Sequence, residues 1–410
     1  LALYKEFLDI KTLTEVNDIL RKYFLPVSDK ETIHILNAVG RSLASDIFSD
    51  VNIPEFTRAT MDGYAVIAQD TFGISQTLPA YLKLIGEVSM GEVPKLSLNS
   101  GETMRISTGG MLPDSANAVV MVEYTNKINN DIIEIKKPVA IGENIIQIGE
   151  DIKKHNKLFS QGRLLQAYDI GALAAIGKIE IEVYRRLNIG IISTGDELVP
   201  PETIPKLGQI RDINSYILTA KIYELSCVPE YYGIVKDDIK ELKYTIQRLI
   251  ENNDMILICG GSSVGIRDLV ATVLSDIGNI LVHGVAIKPG KPTIIANVNN
   301  KPVIGLPGHP ASSVIVFLIL VQPFIMYLQN TTWMPRYVIA TAARNIPSSP
   351  GREDYLRVKL IFNSENEYIA EPIFGQSGLI RPVFEADGLG IIPIDCEGIS
   401  QGEKVKVMLI

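Results

Sequence analysis

Several short runs hold charged or hydroxyl groups in places that packing alone would not choose. Lys288-Pro289-Gly290-Lys291-Pro292 keeps two ammonium groups in one loop. The prolines and glycine cut the entropy lost in holding them, which suits capture of a phosphate or another oxyanion. Thr194-Gly195-Asp196-Glu197 follows the apolar run Ile191-Ile192-Ser193, and Gly260-Gly261-Ser262-Ser263-Val264-Gly265 follows Ile256-Leu257-Ile258-Cys259. Polar glycine turns at strand ends present backbone N–H groups to phosphates. Asp268, at the expected start of the next helix, fits either a site role or a plain cap. Gly305-Leu306-Pro307-Gly308-His309-Pro310 is a rigid strand-to-helix turn with two fixed φ angles. Far upstream, Asp62-Gly63 interrupts a strand-like run ending in Tyr64-Ala65-Val66-Ile67, where a buried acid would need a partner. Arg105-Ile106-Ser107-Thr108-Gly109-Gly110 adds hydroxyls and open backbone for a further oxyanion contact.

Carboxylates accompany these anion-seeking groups: Asp62, Asp151, Glu197, Asp237 and Asp268 all lie in or near turns. They would repel an anion unless a divalent cation such as Mg2+ bridges carboxylate and phosphate, or unless they accept the N–H edge of a guanidine-like heterocycle. His34, His155 and the single Trp333 lack a partner pattern and read as structural.

The elements that must position these groups follow from periodicity. Leu13 to Leu25 has helical spacing, and residues 51–140 read as short strands between Gly, Pro, Asn and Asp signals. Residues 141–186 return to mixed structure with a helix predicted over Tyr168–Ile176. From 187 onward strand and helix alternate: strands at 187–193, 228–235 and 255–259, helices at 214–225 and 238–251, and a third helix starting at Asp268. That order predicts a doubly wound, mostly parallel α/β sheet with ligands beyond the carboxyl ends of its strands. The expected division is a discontinuous linking domain (1–50 with 141–186), a β-rich inserted domain (51–140), an α/β domain (187–335) and a small C-terminal β domain (336–410).

A length of 410 residues implies several cores, and 46% hydrophobic with 21% charged residues is ordinary globular composition. A net charge of −8 argues against a general nucleic-acid binder. Cys227, Cys259 and Cys396 are scattered and fit no disulfide framework or zinc pattern, and no signal peptide is legible, so a reducing cytoplasm is expected. Ser312–Leu328 is nearly continuous in apolar residues. Gln322 and Pro323 interrupt it, and a buried core or dimer-interface helix is the better reading than a membrane span.

Taken in order, Pro54-Glu-Phe-Thr-Arg-Ala-Thr-Met-Asp62-Gly-Tyr-Ala, Arg105-Ile-Ser-Thr108-Gly, Gly149-Glu-Asp151-Ile, Ser193-Thr-Gly-Asp-Glu197-Leu, the 260–265 turn, the lysine loop and the 305–310 turn resemble the MoeA-type molybdopterin molybdenumtransferases, which include the gephyrin E domain. The resemblance runs through essentially the whole chain. It implies insertion of molybdate into adenylylated molybdopterin with release of AMP, by elongated homodimers of four-domain subunits with a composite site. It further implies that Glu197 and the Gly260-to-Asp268 turn hold the pterin nucleotide with Mg2+, helped by Thr194, Gly195 and Asp196. Lys288, Lys291, Pro307 and Pro310 would line the pocket. Asp62, Thr108 and Asp151 would reach in from the partner, with Asp237 a further acid and Ser377 at the site's edge. An adenylyltransferase would supply the substrate.

The chain departs from the family pattern at Ile146, Gly284, His309 and Arg381-Pro382, which leaves tungstate beside molybdate as the oxyanion. Two other readings use the same features. A molybdopterin adenylyltransferase shares the glycine-turn logic but is a single small domain. A dimeric scaffold needs no lysine loop beside Glu197 and Asp268.

Overall fold

The computed structural model describes residues 10–260, 264–364 and 366–410, and for 264–268 the backbone only. Its central sheet has six strands in the spatial order Val228–Val235, Asn188–Thr194, Met255–Gly260, Lys301–Leu306, Ile294–Val298 and Asn279–His283. The first four run parallel and Ile294–Val298 is antiparallel to both neighbours, so the sheet is mostly parallel. Alternation of side chains explains why it is covered twice. Ile189, Ile191, Leu257 and Ile304 pack with helix Asn214–Glu224 and the long helix from Pro310 on one face. Ile192, Ile256, Ile258 and Val303 pack with helices Ile239–Asn252 and Val264–Ile277 on the other.

The apolar stretch near residue 320 is a core helix. Pro310–Leu328 is long and apolar enough to cross a membrane, yet 83% of its most apolar window is buried inside the protein. Its middle, Phe317–Val321, widens into a π turn immediately before Pro323, at the point where a proline ring would collide with the carbonyl of the preceding turn.

Helix Leu13–Tyr23 starts at a capping box of Thr12 and Glu15. Its Val16 and Leu20 enter the core of the α/β sheet, so this helix belongs there by packing and departs from the expected grouping with 141–186. The rest of that expected pairing takes the form of Lys30–His34 against Glu180–Tyr184 and Ile47–Phe48 against Lys157–Phe159, over a shared core that includes Leu43, Leu165, Leu173 and Val183. Between these halves the chain leaves through a narrow neck, where Ile53 bridges Ile152 and Arg58–Ala59 pairs with Ile145–Ile146. It then forms a six-stranded sheet spanning Gly63–Val66 to Ile132–Ile135.

At the C-terminal end, strands Tyr337–Ala342, Tyr368–Pro372, Glu353–Phe362, Gly388–Ile392 and Lys404–Leu409 pair in a closed ring around Ala340, Val358, Ala370, Val405 and Val407. The two-residue strand Ile287–Lys288 of the lysine loop adds to this barrel in parallel with Glu353-Asp354. The barrel therefore grips the α/β domain at the loop whose lysines drew attention in the sequence.

Candidate functional site

Strands Asn188–Thr194 and Met255–Gly260 are neighbours, as their twin glycine turns suggested, and both end at the same edge as Lys301–Leu306. Two adjoining cavities open there, sharing Gly260, Gly308 and His309.

The first encloses about 290 Å3 and is lined by Lys291, Pro307, Ser312, Arg352 and Ser377 among others. Among the described residues it has two cations and no carboxylate in its wall, and neither Lys291 nor Arg352 has an ion-pair partner. Gly290 makes the loop possible. Its φ is +123°, and a Cβ there would stand 2.5 Å from Val316 Cγ2 and 2.9 Å from Ile287 Cδ1. Thr293 Oγ1 donates to the Gly290 carbonyl at 2.8 Å, which fixes the turn from below. Across the mouth, His309 Nδ1 and Ser377 Oγ are hydrogen-bonded at 2.7 Å, and the Ala311 N–H donates to the Ser377 carbonyl at 3.1 Å. The barrel thus presents Ser377 and Arg352 to a cavity whose floor is the α/β sheet.

The second cavity, of about 350 Å3, has acceptors in its wall: Glu197, Asp212 and Asn214. Asp212 is 2% exposed and receives the Ser215 hydroxyl at 2.5 Å and the Tyr231 hydroxyl at 3.3 Å. Burial, with Asp212 beside it, pushes the Tyr231 phenol up to about 12. Asn214 donates to the Gly308 carbonyl at 2.7 Å, and its own Oδ1 is buried without a partner among the described residues, as is Ser193 Oγ. Glu197 folds back over Gly195, where a Cβ would meet its Oε2 at 2.7 Å. Its carboxylate has no hydrogen bond or salt bridge among the described residues.

The remaining sequence candidates divide by location. Thr194 is fully buried and donates to Asp237 Oδ1 at 2.8 Å, while the Asp237 N–H donates to Asp196 Oδ1 at 3.3 Å, so Thr194, Asp196 and Asp237 brace one turn. Gly260 lines both cavities and Pro310 the second. Lys288, expected to face an anion, instead pairs with Asp354 of the barrel at 2.7 Å. Helix Val264–Ile277 begins one turn earlier than expected, which puts Asp268 inside it and not at its cap. Gly261, Ser262 and Ser263 lie outside the described residues, as does the Asp268 side chain.

Asp62, Thr108 and Asp151 are not in the wall of either cavity. They sit on or at the neck of the β-rich arm, where Asp62 Oδ1 receives the Thr108 N–H at 2.7 Å and the Thr108 hydroxyl at 2.9 Å. The Thr108 N–H, then its hydroxyl, hold the Asp62 carboxyl below its ordinary range. Asp151 is exposed in the neck.

Sequence reasoning missed Arg352, Ser312, Asp212 and Asn214. The only trace of Arg352 is a Pro350-Gly351 turn before a strand, and Arg211-Asp212-Ile213-Asn214 reads as an ordinary polar helix start.

No group of three or more His, Cys, Asp or Glu side chains able to hold a metal occurs among the described residues. The unpartnered Glu197 carboxylate does fit a hard cation such as Mg2+ that arrives with a ligand's own phosphates, since such ions use only one or two protein carboxylates.

The covered α/β sheet opens at its strand ends on a cavity with two cations and, among the described residues, no carboxylate, beside a second cavity with Glu197, Asp212 and Asn214 in its wall. Three family models match in order: the MoeA N-terminal region (domains I and II) over residues 11–177, a probable molybdopterin binding domain over 190–327, and the MoeA C-terminal region (domain IV) over 340–410. The chain belongs to the MoeA family. It is 32% identical to the molybdopterin molybdenumtransferase of Haemophilus influenzae, covering 92% of this chain and 93% of that protein. A Methanocaldococcus jannaschii relative, whose name refers to molybdopterin biosynthesis, is 37% identical with both chains fully covered. The crystal structure of a molybdopterin biosynthesis MoeA protein from Pyrococcus horikoshii OT3 superposes with a TM-score of 0.86 at 31% identity, covering 98% of this chain and 100% of that one.

Proposed function

We propose that this chain is a molybdopterin molybdenumtransferase, which inserts molybdate (or tungstate) into adenylylated molybdopterin and releases AMP. The observation that carries the reading is the cavity on Lys291 and Arg352, whose wall has no carboxylate among the described residues. A dianionic oxyanion is costly to desolvate, and two unpaired cations with the Ser377 hydroxyl offset that cost. The acceptors of the adjoining cavity, Asp212, Glu197 and Asn214 Oδ1, suit the amino and ring N–H groups of a pterin. A substrate spanning both would bring its phosphates past Gly260 and the glycine turn, with Pro307 and Pro310 fixing the walls.

Breaking the phosphoanhydride calls for positioning and charge stabilisation and needs no covalent nucleophile. In this reading Lys291 and Arg352 hold the oxyanion, while Thr194, Asp196 and Asp237 keep the Gly195 turn in shape. Glu197 would hold Mg2+, with Asp268 the second candidate ligand; when bound, the ion neutralises charge on the phosphates. Lys288 acts through its ion pair with Asp354, which docks the barrel over the site. Asp62, Thr108 and Asp151 complete the site from the second subunit of a homodimer, with the arm as the reaching element. An adenylyltransferase supplies the substrate, and the setting is the cytoplasm. The four-domain division holds in this reading, with helix Leu13–Tyr23 moved to the α/β domain.

Reconstitution tests it directly. Purified protein, adenylylated molybdopterin and Mg2+ should release AMP only when molybdate or tungstate is added, and Glu197→Ala should abolish release without changing the fold. Nucleotide binding with no AMP from either oxyanion would refute the assignment.

A further inference from the structure

Gly260, Gly308 and His309 are common to the walls of both cavities, and of the three only His309 has a side chain. His309 stands at the N-cap of helix Pro310–Val316, yet its imidazole makes no cap hydrogen bond to that helix. Asparagine, aspartate or serine is the usual choice for capping, so a cap does not account for this residue. Its Nδ1 lies 2.7 Å from Ser377 Oγ, and its Nε2 has no hydrogen-bond partner among the described residues. Ser377 already has a task at the anion; the imidazole has none.

The bond to Ser377 has two forms. In the neutral Nε2–H form, Ser377 commits its only proton to Nδ1 and shows an anion nothing but lone pairs. In the imidazolium, Nδ1–H donates to Ser377 Oγ, and the serine hydrogen is free to turn into the first cavity. Protonation therefore gives an anion there a third positive charge and a hydroxyl donor together. The neighbouring charges set the sign. Lys291 and Arg352 in the first cavity oppose another cation, as does Arg211 in the second, where Glu197 and Asp212 favour one. Arg381, on the short helix Arg381–Phe384 that packs against helix Pro310–Val316, is paired with Glu385. A dianion seated on Lys291 and Arg352 reverses the field of those two cations, so the imidazole gains its proton as the anion arrives.

We propose that His309 makes oxyanion capture proton-coupled: the anion entering the first cavity is bound with uptake of a proton that stays on the imidazole. That the anion is molybdate or tungstate rests on the transferase reading; the coupling itself rests on the shared wall and the Ser377 bond.

Isothermal titration calorimetry of the whole protein with dilute sodium molybdate, a monomeric dianion between pH 6 and 8, tests it. Two buffers of different ionisation enthalpy are used, neither of them an oxyanion. The wild type should bind about three- to tenfold more tightly at pH 6 than at pH 8, and at pH 7 the heats in the two buffers should differ by the equivalent of about half a proton. His309→Asn keeps a polar side chain suited to the N-cap. It should bind at both pH values with about the wild-type affinity of pH 8, and its heat should not depend on the buffer. A merely structural role would shift affinity equally at every pH. Should His309→Asn fail to fold, His309→Gln carries the same expectation, and His309→Lys, with its charge fixed, should lose the slope while binding tightly at pH 8. Binding without a pH slope in the wild type, or a slope that survives in a folded His309→Asn, overturns the proposal and leaves the transferase reading untouched. Molybdate that does not bind at all overturns both. A slope that depends on His309, in a protein that never releases AMP, upholds the coupling while removing the transferase reading.

Discussion

Replacing Gly290 by alanine should unfold the lysine loop's support more than any surface glycine change in the same domain. Two costs add. The backbone at φ +123° is a region that alanine rarely occupies, and the new Cβ would stand 2.5 Å from Val316 Cγ2 and 2.9 Å from Ile287 Cδ1. Strain of about 1–3 kcal/mol and overpacking of about 1–3 kcal/mol give a loss of roughly 2–6 kcal/mol. Gly208 is the matched control, with φ +88° and nothing within 4 Å of its Cβ. Gly208→Ala incurs only the backbone term, about 1–2 kcal/mol. Trp333, the chain's single tryptophan, packs on the α/β core and reports on that domain in urea titrations. With a slope near 2 kcal/mol per M, Gly290→Ala should move the midpoint down by about 1 M or more. If Gly290→Ala proves no less stable than Gly208→Ala, the clash with Val316 and Ile287 is not the reason for glycine here, and the account of the loop's rigidity fails.

Arg352→Ala should raise the oxyanion concentration at half-maximal AMP release by about 10- to 100-fold, the worth of one charged hydrogen bond. The melting temperature should be unchanged, because Arg352 has no ion-pair partner among the described residues. Arg185 clasps Asp254 through two bonds of 2.7 and 2.8 Å and Asp29 at 3.1 Å, so Arg185→Ala should cost about 1–3 kcal/mol at pH 7 after allowing for its exposed third. Burial pushes the Asp254 carboxyl up, but Arg185 and the Asn188 N–H hold it below its ordinary value. Its stabilisation is therefore complete above about pH 4 and lost as pH falls through the lowered value, and thermal melts of wild type and Asp254→Asn should converge in acid. Thr108→Val should raise the Asp62 pKa toward the ordinary carboxyl value, because the hydroxyl bond disappears and the N–H bond loosens. Carboxyl-carbon NMR titration measures it, and an unmoved pKa would show that Thr108 does not set the Asp62 environment.

Much of the α/β sheet was legible because its strands are continuous apolar runs and its helices have clean periodicity. Val228–Val235 appears with the predicted bounds, and Asn214–Glu224 within a residue of them. The 194–197 and 305–310 turns were legible too, since only a site or a tight turn justifies Gly and Pro at strand ends. What failed was partnership across domains. Nothing local to Lys288 reveals that Asp354, 66 residues on, neutralises it. The same distance problem hid Arg352, which looks like an ordinary charge beside a strand until the barrel closes. Helix Leu13–Tyr23 was read correctly as a helix, but amphipathicity does not say which core its apolar face will enter.

The narrow neck has a kinetic meaning. Ile53 and Ile152 meet although about 100 residues separate them, and closing such a loop from a disordered chain costs about 4 kcal/mol of entropy. If the β-rich arm condenses first, its two ends emerge side by side at Arg58–Ala59 and Ile145–Ile146, and most of that cost has already been met by local strand pairing. The arm then acts as a clasp that delivers the two halves of the unit beneath it to each other. On this route, an element that lines neither cavity is the one whose early collapse lets the middle of the chain assemble.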